Sequence, residues 1–159
     1  MNEANELMTQ QGYDNLVEEI KDLRNNQRIK IVEEIEIARS HGDLKENAEY
    51  HAAKEKQSFI DTRIAEVSSV IAKAKIIDPA TLEHTRVSFG STVELLNLDT
   101  DKKVTYKIAG MNESNPDENI IYYNSPLAKQ LLHKECGEEV EINLPSGINE
   151  FEILNIKYP

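Results

Sequence analysis

Two hydrophobic periods run along this chain, and they change over near Asp78-Pro79-Ala80. Upstream, Tyr13, Leu16, Ile20, Leu23, Gln27, Ile31, Ile35 and Ala38 recur at steps of 3, 4, 3, 4, 4, 4 and 3. That is a heptad seam interrupted by a four-residue stutter, and it predicts a helix from Asp14 to about Arg39. A second stripe, Ala52, Lys56, Ile60, Ile64, Val67, Ile71 and Ala74, predicts another from about Leu44 to Lys75. Between Tyr13 and Asp78 the only glycine or proline is Gly42, so the two helices are expected to fold back as an antiparallel hairpin. At about 1.5 Å per residue each helix reaches roughly 40 Å, and the distal end of such a thin rod projects.

Downstream the period falls toward two. Strands are expected at Arg86–Phe89, Thr92–Leu98, Val104–Ala109, Ile120–Tyr123, Glu139–Leu144 and Glu150–Lys157. Asp99-Thr100-Asp101 and Pro145-Ser146-Gly147 carry turn chemistry between neighbouring strands. Ser125-Pro126 predicts a short helix running to about His133, with Ser125 as N-cap and proline at the first helical position. The fold class is therefore α+β: a helical hairpin (coiled coil) over residues 8–77, a linker at 78–84, and a small, mainly antiparallel sheet domain with one helix over 85–159.

Charge narrows the function. The formal net charge is −11, with 11 Lys/Arg against 16 Asp/Glu in residues 1–78 and 7 against 13 in residues 79–159. A chain acidic throughout is a poor autonomous binder of duplex DNA, because phosphate neutralisation supplies most nonspecific affinity. Contact with nucleic acid is expected to be local, or made through a partner protein. The single cysteine, Cys136, cannot form an intramolecular disulfide, which with the absence of a secretion signal in Met1–Glu6 predicts a cytoplasmic protein. No apolar run approaches the roughly 18–20 residues of a membrane span.

The candidate chemistry lies at the hairpin turn, Ser40-His41-Gly42-Asp43-Leu44-Lys45-Glu46-Asn47-Ala48-Glu49-Tyr50. Asp43, Glu46 and Glu49 share roughly one face at i, i+3, i+6. One reading is architectural: Gly42 ends the first helix in a left-handed conformation, Asp43 caps the second, and Glu46 closes a capping box. The other is chemical: two carboxylates on a projecting tip could complete a Mg²⁺ site whose other ligands belong to a second protein. The two readings are compatible.

Gly42-Asp-Leu-Lys-Glu-Asn-Ala-Glu-Tyr-His-Ala-Ala53 closely resembles the hairpin tip of the Gre family of transcript-cleavage elongation factors, nearer its GreA branch than GreB. The likeness extends to Met8-Thr-Gln-Gln-Gly12, Val87-Ser-Phe-Gly-Ser-Thr-Val93 and Asn124-Ser-Pro-Leu-Ala128, and leaves only about the first seven residues outside. The resemblance implies an N-terminal coiled coil and a C-terminal domain similar to the FKBP-type fold. It implies that the C-terminal domain docks at the rim of the secondary channel of bacterial RNA polymerase while the coiled coil enters it. Asp43 and Glu46 would then help hold a second Mg²⁺ shared with the polymerase, and the displaced nascent RNA 3′ end would be cut. On this view the chain is no enzyme but an activator of the polymerase's nuclease activity.

Arg39, Lys45 and Lys54 are the candidate RNA contacts, in a stretch (37–56) balanced at four basic and four acidic residues; Lys54 is the first choice because the family tends to be basic there. Solvated helix charges with i,i+4 partners are the better account of any one of them taken singly. Ser125, Pro126 and Leu127 resemble part of the polymerase-docking domain, although helix-start chemistry also accounts for them. His41 and His51 flank the tip but lack further ligands at zinc spacing. Tyr50 is expected either to contact a partner or to pack toward the other helix. A monomer is expected. The principal alternative function is a secondary-channel regulator that binds polymerase without promoting cleavage.

Overall fold

The computed structural model describes residues 5–42 and 47–159. The chain divides at Gly12/Tyr13 and Ala74/Lys75 into a hairpin unit, Tyr13–Ala74, and a sheet unit, Glu6–Gly12 with Lys75–Pro159. Residues 6–12 go with the sheet unit, and the expected linker at 78–84 has structure of its own. Asp78 caps a short 3₁₀ turn, Pro79–Thr81, its carboxylate accepting from Ala80 N at 3.0 Å. Pro79 is buried, and its carbonyl accepts from His84 Nε2 at 2.7 Å.

The first helix of the hairpin is α1 (Gln10–Asp22), a π-helical turn (Leu23–Gln27) and α2 (Arg28–Arg39). The π turn sits at the stutter. Leu23 and Ile31 are both buried, and the wider turn absorbs the additional residue that a continuous heptad seam would rotate out of register. Gln27 is exposed instead of occupying the seam, and its amide donates to Asp22 Oδ2 at 2.7 Å. The Asn26 amide, and after it that of Gln27, hold the Asp22 carboxyl below its ordinary range.

The second helix, α3, spans Ala48–Lys73. Its buried residues are Ala53, Ile60 and Val67, with Gln57 and Ile64 half-buried between them. The seam is therefore 53, 57, 60, 64, 67, an unbroken heptad, and the expected Ala52 and Lys56 are exposed. Alanine and glutamine pack against the partner helix because the spacing, not their modest hydrophobicity, places them there. On the rim, Arg63 grips Glu19 with two nitrogens at 2.6 and 2.8 Å, and this contact raises the guanidinium pKa.

Two strands the sequence did not suggest, β1 (Glu6–Met8) and β2 (Ala74–Ile76), form a two-stranded sheet. The main sheet has β3 (Thr92–Asn97), β4 (Lys103–Ala109), β5 (Ile120–Tyr122), β6 (Glu139–Leu144) and β7 (Gly147–Lys157) in the order β5-β4-β3-β7-β6. Only β4 and β5 are parallel, so the expected mainly antiparallel α+β architecture is present. One face buries Val93, Leu95, Ile108, Val140, Ile142, Phe151 and Ile153 with Ala128 and Leu131 of α4 (Pro126–Leu131). Arg86–Phe89 is not a strand: Arg86 makes one bridge, to Glu135, while Val87 is fully buried and Phe89 nearly so. Their alternation marks anchoring in the core rather than ladder pairing. α4 stops before His133, which takes a left-handed φ of 72°.

Candidate functional site at the hairpin turn

The site is built from two helix ends. α2 finishes at Arg39, and Ser40 turns its hydroxyl back onto the Ile37 carbonyl at 2.6 Å. Gly42 has a φ of +115°, and among the described residues nothing stands within 4 Å of where a Cβ would be, so the backbone angle is what favours glycine. Asp43, Lys45 and Glu46, together with the expected helix start at Leu44, lie outside the described residues.

On the far side Asn47 has an extended backbone and caps α3, its Oδ1 accepting from Tyr50 N at 3.1 Å. The N-cap of this helix is therefore Asn47, where the sequence reading placed Asp43. The same side chain reaches across the hairpin, and its Nδ2 donates to the Ala38 carbonyl at 2.5 Å. One asparagine thus satisfies an orphan donor at the start of α3 and gives a second donor to the Ala38 carbonyl, which also accepts from His41 N at 3.1 Å. The signal was available: asparagine directly before Ala48-Glu49 is a good cap followed by a strong helix former and an acid in the first turn.

Glu49 lies in that first turn and accepts from His41 Nδ1 at 3.1 Å. A carboxylate only accepts, so Nδ1 carries the proton. This third acidic residue is thereby tied to the turn. Tyr50 falls on the seam three residues before Ala53 and is half-buried, with its ring edge to face against His51 at 5.6 Å. Arg39 and Lys54 each follow a seam residue, Ala38 and Ala53, by one position, so both lie on the same flank of the hairpin. Lys54 donates to Gln57 Oε1 at 3.2 Å. Among the described residues no group of three or more His, Cys, Asp or Glu could hold a metal ion.

In the sheet unit, Ser125 caps α4, its hydroxyl accepting from Ala128 N at 3.2 Å; Pro126 is exposed, and Leu127 packs partly against the core. Just upstream, Glu6 accepts from the Tyr122 hydroxyl at 3.0 and 3.1 Å and from Tyr123 at 3.4 Å, while Leu7 N donates to Tyr123 at 3.1 Å. Burial first, and then the Glu6 carboxylate, push the Tyr122 pKa up to about 12. No helix among the described residues is long and apolar enough to cross a membrane.

Two family descriptions match in sequence order: the N-terminal domain of transcription elongation factors over residues 6–76, and the GreA/GreB C-terminal domain over 82–158. Transcription elongation factor GreA of Helicobacter hepaticus is 57% identical over 98% of this chain and 95% of its own length. The protein of the same name from Helicobacter pylori strain Shi470 is 54% identical over 96% and 93%. That of Nitratiruptor is 50% identical over 98% and 95%.

Proposed function

The chain belongs to the GreA/GreB family of transcription elongation factors, and we propose that it binds bacterial RNA polymerase and stimulates the polymerase's own cleavage of a backtracked RNA 3′ end. Arrested complexes would thereby regain a 3′ terminus in register. The observation that carries this reading is the collinear likeness to both family domains on one chain, with the hairpin turn holding Asp43 and Glu46.

The sheet unit docks on the rim of the secondary channel, with Ser125-Pro126-Leu127 part of the contact. The hairpin enters the channel as a monomeric probe. Asp43 and Glu46 offer hard oxygen donors of the kind Mg²⁺ takes, but two carboxylates leave its octahedron incomplete. The remaining ligands come from the polymerase, which is why the chain activates a nuclease without being one. When bound, the ion supplies an acidified water and neutralises charge on the phosphodiester. The chain's own part is positioning: Asn47 ties the end of α2 to the start of α3, the two helix ends between which Asp43 and Glu46 lie in sequence. Arg39, Lys45 and Lys54 steady the extruded RNA. The setting is the bacterial cytoplasm.

The test uses backtracked polymerase complexes carrying 3′-labelled RNA in Mg²⁺. The protein added to complexes releases short 3′ fragments, while the protein with the same RNA but no polymerase releases none. Binding to the complexes without any fragment release would favour the non-cleaving channel regulator.

A further inference from the structure

A mainly apolar pocket of about 110 Å³ opens in the sheet unit. Its wall includes Pro79, Phe89, Ile108 and Tyr158, of which Ile108 is fully buried and Phe89 is 5% exposed. Gly90 lets this wall close. Its φ is +89°, and a Cβ there would stand 2.4 Å from the Pro79 Cβ.

Two charged residues, Glu113 and Lys107, are among those that line the same space. Glu113 is committed: Thr9 donates its hydroxyl to Oε1 and its backbone N–H to Oε2 at 3.4 Å. Lys107 is not, for its ammonium has no ion pair or side-chain hydrogen bond among the described residues. An apolar recess with one uncommitted cation selects for a compact apolar body carrying one negative charge.

We propose that this pocket binds a small-molecule monocarboxylate whose body is a single aromatic ring or a branched aliphatic chain. Size sets the body: an enclosed apolar cavity of about 150 Å³ holds one benzene ring, and this recess is smaller but open at its mouth. Charge sets the head group. The carboxylate meets the Lys107 ammonium at the rim, where neither ion has to be fully desolvated.

The test is an amide-resolved NMR titration of the full chain with sodium benzoate, and in parallel with benzylamine. Benzoate should give saturable shifts centred on Phe89, Gly90, Ile108 and Tyr158, and benzylamine none. Lys107→Glu, an exposed position, should leave distant amides in place and weaken benzoate about fivefold or more. Lys107→Gln should fall between. Absence of saturable shifts with benzoate, equal binding of benzylamine, or indifference to both Lys107 variants would each overturn the assignment.

Discussion

The amide nitrogen of Asn47 donates to the Ala38 carbonyl at 2.5 Å while its oxygen caps α3 through Tyr50 N at 3.1 Å, so one side chain closes both helices of the hairpin. Asn47→Ala removes both bonds. A lost cap costs roughly 0.5–2 kcal/mol and a lost neutral hydrogen bond about 1 kcal/mol more. Asn47→Ser keeps a capping oxygen but not the reach to Ala38. Chemical denaturation followed by circular dichroism should rank stability as wild type, then Ser, then Ala. Equal stability of the Ser and Ala variants would mean that the cap contributes nothing.

The seam register is open to a test of the same kind. Ala53 is 7% exposed against the partner helix, whereas Ala52 faces solvent. Ala53→Glu buries an unpaired carboxylate, which should lower the hairpin's melting temperature sharply. Ala52→Glu should stay within about 0.5 kcal/mol of wild type. A reversal of the two would restore the register in which Ala52 and Lys56 pack.

Much of the fold was legible because its elements are long and strongly periodic. Leu16, Ile20 and Leu23 and then Ile31, Ile35 and Ala38 spelled out the first helix, while the stutter at Gln27 gave no sign that a π turn would absorb it. The distal half of α3 was harder. Ala52, Ala53, Lys56 and Gln57 differ too little in hydrophobicity to fix a register, and packing from Ile60 onward decides it. The three-residue strands Glu6–Met8 and Ala74–Ile76 are too short to show a period at all. Val87 and Phe89 show a period without a ladder, because both are drawn into the core from a loop. At the turn, Asp43-x-x-Glu46 fits a capping box in sequence, and that pattern hid the plainer cap at Asn47.

Like charges oppose each other on the exposed face of β6 and β7. Glu139 is registered with Glu152 and Glu141 with Glu150. Such pairs are unfavourable, and reversing one should gain roughly 0.2–1 kcal/mol. Glu141→Lys is expected to raise stability at low salt, with the gain shrinking as ionic strength rises. No change at low salt would show that solvent already screens the pair completely.

The Tyr122 phenol should ionise well above the ordinary tyrosine value. Its pKa stands at about 12, burial being the first cause and Glu6 the second. The folded state thus holds this proton where the unfolded chain has released it. The associated stability is complete below about pH 10, the ordinary tyrosine value, and is lost as pH rises through about 12. Ultraviolet titration should show one late phenol, and Glu6→Gln should shift it downward without restoring the ordinary value. A Tyr122→Phe variant that keeps the late step would assign it elsewhere.

The central claim is that the tip carboxylates serve cleavage inside the polymerase. Its most direct measurement compares wild type with Asp43→Asn/Glu46→Gln on backtracked complexes, scoring binding and 3′ fragment release in the same samples. Both substitutions keep hydrogen-bonding groups and remove only charge, and the α3 cap at Asn47 is untouched. The variant should bind like wild type and lose fragment release. A variant that binds and still releases fragments at the wild-type rate would contradict it.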